Sequence, residues 1–188
     1  MTMHLIKKCT INWEKIFAAE ANRQNPTAPP KYSAEFLLEE DGAELAALKR
    51  TYLEVWQQAG PSWKKKEAAQ SKSDRAFFKS LYDVEEEKTH IYEGKVRITA
   101  SAPAEYPPVI VGRDRAPIPK GAIYNGCIVA AQIDVYYSQR FESVFSGLKA
   151  VQFIAQGTRL AGAFAVPNVS AFEKFEEEDE EEENGSPF

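Results

Sequence analysis

Apolar and polar residues alternate along several stretches of the chain, and this alternation is typical of strands that bury one face. In the stretch 31–38, Tyr32, Ala34, Phe36 and Leu38 share one parity. Similar patterns predict strands over residues 4–17, 31–38, 91–102, 109–111, 123–137 and 148–155. The chain is therefore predicted to be mainly β.

The first predicted strand carries Leu5, Cys9, Ile11 and Trp13 on the same parity. This placement favours Trp13 as a core or edge anchor, and a base-stacking role stays open as the alternative. Residues 20–30 follow with three prolines. Proline cannot donate to a β-ladder, so this stretch is predicted to be a loop.

A different periodicity, of three and four residues, begins after Asp41 and Gly42. Its apolar positions are Leu45, Leu48, Tyr52, Val55, Trp56 and Ala59. This stripe predicts a helix that packs on the sheet, with Asp41 as its N-cap and Gly60-Pro61 at its end.

The longest predicted strand, 123–137, has Gly121 and Gly126 near its start. Glycines at such positions indicate a bend or bulge, which barrels need at their corners. About five short strands and one helix suit a mainly β fold with some α: an OB-like, partly open barrel with one or two packed helices.

Residues 62–89 combine cations with aromatic side chains. These are the two ingredients of single-strand binding, since cations neutralise phosphates and rings stack on bases. A solvated surface helix that packs through Phe77, Phe78 and Leu81 is the other interpretation. Packing is favoured for one of the two phenylalanines.

The charge of the chain is unevenly distributed. The whole sequence has 23 basic and 28 acidic residues, and nine of the acids lie in residues 173–188. The two expected units are therefore a mildly basic domain, 1–172, and a disordered acidic tail, 173–188, that ends in an aromatic. Solubility alone would explain such a tail, but a polyanion next to a cationic body also competes for the same lysines and arginines.

Enzyme chemistry has no recognisable motif in this sequence. Cys9 and Cys127 lack metal-ligand spacing, and His4 and His90 lie near no nucleophile motif. Nucleotide-binding, hydrolase and zinc-protease motifs are absent from the sequence. We therefore expect no catalytic residues, no metal and no cofactor, with both cysteines reduced.

No apolar run reaches the length of a membrane span, and the first residues do not resemble a signal peptide. A soluble protein that does not bind membranes is expected, located in the cytoplasm. For a protein of phage origin this is the cytoplasm of the host cell.

Three segments carry a resemblance to a known family: residues 31–49 read KYSAEFLLEEDGAELAALK, residues 126–137 read GCIVAAQIDVYY and residues 147–162 read GLKAVQFIAQGTRLAG. They resemble the bacteriophage single-stranded-DNA-binding protein family with an OB-like fold, long known only as a domain of unknown function. The resemblance covers most of residues 5–172, and the acidic tail is similar to that of phage replication proteins of this kind.

The resemblance implies binding of single-stranded DNA with little sequence preference, in phage DNA replication or recombination. A second interpretation is a non-enzymatic protein–protein module, DNA-mimicking or chaperone-like, whose acidic tail binds a basic partner. A structural virion protein is a third. The oligomeric state stays open, because exposed edge strands permit a homo-oligomer.

The family supplies no short contact motif, so the candidate DNA-binding residues are chosen by their chemistry. Phosphate contacts are predicted for Lys64, Lys65, Lys66, Arg75, Lys95, Arg97, Arg113 and Arg115. Base stacking is predicted for Trp63, Tyr92, Tyr106 and Tyr136.

The tail is predicted to act as an autoinhibitor and as a docking arm. Its candidate docking residues are Glu180, Glu181, Glu182, Glu183 and Phe188. An aromatic that follows a run of acids suits an apolar pocket rimmed by basic residues on a replication protein, such as a polymerase or helicase.

Overall fold

Strands dominate the described part of the chain, and helices fill the long connection between the second and third strands. The computed structural model describes residues 1–21, 25–59, 66–79 and 89–160. Its strands are β1 (Thr2–Glu20), β2 (Lys31–Glu39), β3 (Lys95–Pro103), β4 (Val109–Val111), β5 (Ile128–Ser138) and β6 (Ser143–Ala155). Its helices are α1 (Ala43–Ala59), α2 (Lys66–Phe77) and α3 (Thr89–Tyr92).

Five strands close into a barrel, and β4 is added outside it. The hydrogen-bonded order is β3–β2–β1–β5–β6–β4, and a parallel pairing of Ser101 in β3 with Gly147 in β6 closes the ring. Beside this pairing, Lys79 exchanges two backbone hydrogen bonds with Arg97 at the edge of β3. The predicted mainly β, OB-like and partly open barrel is confirmed.

The inside of the barrel is apolar, as the strand parities predict for β2, β3 and β5. Buried side chains at alternate positions of these strands are Ala34, Phe36, Leu38, Val96, Ile98, Ala100, Val129, Ala131, Ile133 and Val135. The intervening residues of each strand therefore lie on the outer face of the barrel.

The parity predicted for β1 holds for Cys9 and Ile11, which are buried, but it fails for Leu5 and Trp13 because register shifts interrupt the strand. Its register with β5 shifts after Ile6, and its register with β2 shifts after Asn12. Ile6 is fully buried, whereas Leu5 is 53% exposed. The second shift turns Trp13 outward, with a φ of 47° and 54% of its surface exposed. An extra residue at a bulge changes the face on which the following side chains lie.

The hairpin of β5 and β6 differs from the prediction at both ends. Its strands extend further toward the tip, and β5 starts later. Residues 123–127 precede β5, and Gly126 there adopts a φ of 111°. The connecting loop covers only residues 139–142, so β6 begins at Ser143 rather than at Leu148. This loop is tight because Glu142 takes a left-handed conformation, with a φ of 48°.

The start of β3 also differs from the prediction. Ile91 and Tyr92 lie in α3, and β3 begins at Lys95. Gly94, with a φ of 66°, separates the two elements. A left-handed glycine after a helical turn ends the helix and lets the chain change direction.

The helices pack on the barrel through buried aromatic residues. Helix α1 begins at Ala43, two residues after the predicted cap, and its Tyr52 and Trp56 are buried. Ser73 of α2 accepts hydrogen bonds from the hydroxyl of Tyr52 at 2.7 Å and from the backbone nitrogen of Val144 at 3.0 Å. These two bonds join α1, α2 and β6. None of the described helices is both long and apolar enough to cross a lipid bilayer.

Both phenylalanines at the end of α2 pack inward. Phe77 is buried, and its ring centroid lies 5.0 Å from that of Tyr52. Phe78 lies at the same distance from Tyr52 and contacts the core. The packing interpretation therefore holds for this part of the stretch 62–89.

The chain after β6 crosses over the turn before β5 at close range. A Cβ atom on Gly126 would overlap the carbonyl oxygen of Thr158, and one on Gly157 would overlap that of Gly126. Beyond this crossing, the backbone nitrogen of Leu160 donates to the oxygen of Asn125 at 3.1 Å. The crossing directs the C-terminal chain across the turn.

Leu160 packs with Leu37, Ile91 and Tyr92 on the outside of the barrel, in a small cluster separate from the core. The C-terminal part of the described chain thus reaches the outer face of β2. The predicted boundary between residues 172 and 173 lies outside the described residues.

Candidate nucleic-acid interface

One row of residues follows the outside of the barrel from β1 to β5. Backbone pairing joins Asn12 to Glu35, Glu35 to Thr99, and Phe145 to Tyr136. The pairing of Ser101 with Gly147 places Thr99 beside Phe145. Ser146 supports this junction, because its hydroxyl donates to the oxygen of Thr99 at 2.7 Å. We call this the outer row; its members in order are Asn12, Glu35, Thr99, Phe145 and Tyr136.

At the β1 end, the outer row is covered by Tyr92 of α3. The amide nitrogen of Asn12 donates to Glu35 Oε1 at 3.0 Å and to the hydroxyl of Tyr92 at 2.9 Å. The indole nitrogen of Trp13 donates to the same hydroxyl at 3.2 Å. Trp13 is the half-exposed member of this group, whereas Asn12, Glu35 and Tyr92 are buried.

Arg97 lies within the same group and is neutralised there. Its Nη1 atom is 3.5 Å from Glu35 Oε2, and its guanidinium carbon lies 4.8 Å from the ring centroid of Tyr92. Burial raises the pKa of the Tyr92 phenol above its ordinary value, so the phenol stays neutral. Arg97 and Tyr92 therefore form part of a buried polar network on the outer face.

The role expected of Tyr92 must be revised. Tyr92 is 3% exposed, with Arg97 over its ring and two donors on its hydroxyl. A base needs an accessible ring face, so this position fits a positioning role rather than the stacking role expected from the sequence. Lys95, expected to contact phosphate, forms an ion pair with Glu39.

The tip of the β5–β6 hairpin exposes a cluster of aromatic rings. Tyr136 and Phe145 are stacked, with centroids 6.1 Å apart, and Phe141 meets Phe145 edge-on at 5.7 Å. The guanidinium carbon of Arg140 lies 5.3 Å from the ring centroid of Phe141. Phe141 is 61% exposed and Phe145 is 37% exposed. We call these four residues the aromatic hairpin.

Two further arginines occupy an ordered loop beside β6. Arg113 and Arg115 are exposed in the turn that follows β4. Gln152 holds this turn, since its amide nitrogen donates to the oxygens of Gly112 and Arg113, both at 3.3 Å. Arg115 also lines a groove of about 260 Å³ together with Leu5. We call residues 112–116 the basic loop.

The remaining predicted residues lie apart from the outer row or outside the described chain. Arg75 is exposed on α2 and lines a cleft with Tyr52 of α1. Tyr106 is 74% exposed in the connection between β3 and β4. Lys66 begins α2, but its side chain lies outside the description. Also outside the described residues are Trp63, Lys64, Lys65, Glu180, Glu181, Glu182, Glu183 and Phe188.

Sequence reasoning left four exposed residues out of the site: Trp13, Arg140, Phe141 and Phe145. Phe145 lies between the predicted strands 123–137 and 148–155, although the alternation S-V-F-S-G-L extends the strand pattern backward from Leu148. Arg140 and Phe141 stand together at the tip of a hairpin, which is a detectable signal. No signal in the sequence shows that Trp13 is turned outward.

The described surface carries the two elements that single-strand binding needs. The aromatic hairpin offers faces on which bases can stack, and the basic loop offers guanidinium groups for phosphates. In OB folds the second and third strands and the loop between the last two barrel strands form the oligonucleotide surface. Within the described ranges, no three His, Cys, Asp or Glu side chains are grouped to hold a metal ion.

An OB-like barrel with exposed aromatic and basic residues on its outer face is typical of single-stranded-nucleic-acid-binding proteins. The chain belongs to the family described as Enterobacter phage Enc34, ssDNA-binding protein, whose model matches residues 2–184. The family predicted from the three sequence segments is thereby confirmed. No curated protein matches the sequence significantly.

Solved structures of the Enc34 protein share the fold. The C-terminally truncated single-stranded DNA-binding protein from bacteriophage Enc34 is 15% identical, with a TM-score of 0.65 over 84% of this chain and 88% of that one. The same protein in complex with ssDNA is 15% identical, with a TM-score of 0.61 over the same shares. Another structure of the Enc34 protein has a TM-score of 0.57 at 15% identity over 90% of each chain.

Proposed function

We propose that this chain binds single-stranded DNA, with little sequence preference, over the outer face of the barrel that carries the outer row, and at the aromatic hairpin. The observation that carries the proposal is the exposed stack of Tyr136, Phe145 and Phe141, with Arg140 against it, on the barrel of a member of this family. Exposing such rings costs hydrophobic free energy, so their exposure points to a ligand that covers them.

The chemistry of the hairpin suits any base. Every base has a π-face, and stacking on an aromatic side chain contributes about 1–3 kcal/mol per base. From β1 to β6 the outer row crosses three strand spacings, or about 14 Å.

Phosphates are bound by cations around this path. Arg113 and Arg115 supply two exposed guanidinium groups in a loop that Gln152 holds in place. Lys64, Lys65, Lys66 and Arg75 remain proposed contacts from their chemistry, as do Trp63 and Tyr106 for stacking. Arg97 and Lys95 contribute less, because carboxylates already neutralise them.

The acidic tail, residues 173–188, competes with DNA for these cations and docks partner proteins. Nine acids tethered to the body reach a local concentration in about the millimolar range near it. The position of Leu160 on the outer face of β2 supports this model, because the last described residue lies against that face. Phe188 docks a replication protein such as a polymerase or helicase.

The biological role proposed is phage DNA replication or recombination in the host cytoplasm. The protein acts by binding alone and needs no metal or cofactor. Nuclease or helicase activity that copurifies with the protein and disappears with EDTA would contradict this part of the proposal.

The proposed function is tested by fluorescence anisotropy with labelled oligo(dT), a mixed-sequence single strand and its duplex. The full chain is expected to bind both single strands with similar affinity and the duplex more weakly. Failure to bind either single strand, together with retention of basic proteins, would support the protein–protein module instead. Strong preference for one single-strand sequence would contradict binding by stacking.

A further inference from the structure

Trp13 combines three features that a core or edge anchor does not need. Its side chain is 54% exposed, although tryptophan is the largest apolar residue available for burial. Its φ of 47° is uncommon for a bulky residue. It also stands at a register shift of β1, where the strand turns the side chain out of the barrel. Such a conformation persists only when its surroundings hold it.

The surroundings hold both the ring and the backbone of Trp13. The indole nitrogen donates to the hydroxyl of Tyr92 at 3.2 Å, which fixes the orientation of the ring. The next backbone nitrogen, that of Glu14, donates to Asn125 Oδ1 at 3.2 Å. Asn125 belongs to the turn that the C-terminal chain crosses, so the position of Trp13 depends on contacts from two other parts of the fold, α3 and this turn.

Tyr92 is itself fixed by the network below it. Asn12 donates to its hydroxyl at 2.9 Å, and the guanidinium of Arg97 lies over its ring. Asn12 and Arg97 both contact Glu35. The only exposed aromatic surface that this buried network presents is the ring of Trp13.

We propose that Trp13 is a base-stacking platform at the β1 end of the outer row, and that Tyr92 is the residue that positions it. This proposal rests on the proposed function and adds a second nucleobase site, on another strand from the aromatic hairpin. A ring already fixed by a hydrogen bond loses little conformational freedom when a base stacks on it. Stacking needs only the ring face, so the site accepts any base.

The first test compares the affinities of full-length variants for labelled oligo(dT). Trp13→Ala is expected to weaken binding by about 5- to 150-fold, the equivalent of one lost stacking contact. Trp13→Phe keeps a ring and is expected to weaken binding less. Leu53→Ala is the matched control, because Leu53 is a half-exposed apolar residue on α1; it is expected to bind like the wild type.

The second test uses tryptophan fluorescence, which reports contact directly. Addition of oligo(dT) is expected to quench the wild type more than Trp13→Phe, which retains Trp56 and Trp63. The difference in quenching between the two titrations reports the contact of DNA with Trp13. Equal quenching in both proteins would overturn the proposal, even if both bind DNA.

The positioning role of Tyr92 is tested by a double-mutant cycle. Tyr92→Phe removes the oxygen that accepts from Trp13 and is expected to weaken binding by about 2- to 10-fold. The same change in the Trp13→Ala protein is expected to have no effect, since the two residues act through one contact. An equal loss in both backgrounds would show that Tyr92 acts independently of Trp13.

These outcomes separate the inference from the proposed function. If the wild type does not bind oligo(dT), the proposed function fails. If the wild type binds and Trp13→Ala binds equally well, only the stacking role of Trp13 fails. Thermal unfolding of each variant identifies any loss of affinity that comes from loss of structure.

Discussion

Tyr136 and Phe145 lie opposite each other on β5 and β6, with their ring centroids 6.1 Å apart and their planes inclined by 28°. Because both rings are attached to paired strands, their relative position is fixed before any ligand arrives. Phe141, at the tip of the same hairpin, extends this surface toward solvent. A preformed surface of this kind loses little entropy when bases stack on it.

The first prediction concerns these rings. Phe141→Ala and Phe145→Ala are each expected to weaken oligo(dT) binding by about 1–3 kcal/mol, because each removes a ring face. Leucine at the same positions keeps apolar volume without a π-face and should weaken binding nearly as much. Anisotropy titrations measure the effect. Affinities within twofold of the wild type for both alanine variants would exclude the hairpin from the interface.

The second prediction compares the contributions of a buried and an exposed ion pair to the free energy of unfolding. Glu35 and Arg97 side chains are only 10% and 12% exposed, so Arg97→Ala leaves a buried carboxylate unpaired. The free energy of unfolding is expected to fall by about 3 kcal/mol. Lys95→Ala is the matched control; its partner Glu39 is 70% exposed, and the loss should stay below about 1 kcal/mol. Urea unfolding that gives equal losses for the two variants would contradict the buried network.

Much of the barrel could be predicted from alternation because β2, β3 and β5 follow regular ladders over their cores. The same reasoning failed for β1, since the register shift after Asn12 depends on pairing with β2 and leaves no trace in residue order. For this reason the exposure of Trp13 could not be predicted from the sequence. Irregularities set by partner strands cannot be read from the strand alone.

The site was only partly predictable for a related reason. Tyr136 is predicted because its strand is regular, whereas its partner Phe145 lies before the predicted start of the next strand at Leu148. Tyr92 is predicted to stack on a base from within the strand 91–102, but Gly94 ends a helical turn there and the polar network covers the ring. Whether an aromatic residue is accessible depends on what packs over it, and that information is tertiary.

The third prediction is a pH dependence of stability that arises from His4. Its Nδ1 atom lies 2.8 Å from the hydroxyl of Thr51, and its Nε2 atom is buried without a hydrogen-bond partner among the described residues. Burial lowers the pKa of His4 from its ordinary 6.5, and the carboxylate of Glu44 opposes part of that shift. The unfolded chain therefore binds this proton more readily than the folded chain.

It follows that the contribution of His4 is present above about pH 6.5 and is lost as the pH falls through the lowered pKa. The free energy of unfolding, measured in urea at about pH 7.5 and about pH 5.5, should fall less for His4→Gln than for the wild type. His90→Gln, at an exposed position, is the control and should behave as the wild type. Identical pH dependence in all three proteins would rule out this role of His4.

The fourth prediction concerns the acidic tail. Deleting residues 173–188 should raise affinity for oligo(dT) and reduce discrimination against duplex, because a local competitor for the cations is removed. The gain should be largest at low salt, where screening is weakest. A tail of the same length with its acids changed to glutamine should match the deletion. Unchanged affinity at about 50 mM salt would leave the tail only a solubilising role.

Phe188 is expected to act separately from the acids. Phe188→Ala should leave DNA affinity unchanged, because a single aromatic adds no charge to the competition. The same variant should retain less polymerase or helicase in a pull-down with the cognate replication proteins. Equal retention by wild type and variant would remove Phe188 from the docking role.

The most direct test of single-strand binding is its salt dependence in the full-length protein. Affinity for oligo(dT), measured by anisotropy from about 50 to about 300 mM salt, should fall linearly on a log–log plot, with a slope of about −0.7 per phosphate neutralised. Replacing Arg113 and Arg115 by glutamine should reduce the magnitude of that slope by about 1.4. Arg50→Gln, at an exposed position on α1, should leave it unchanged. Affinity that does not vary with salt would contradict binding of single-stranded DNA by this surface.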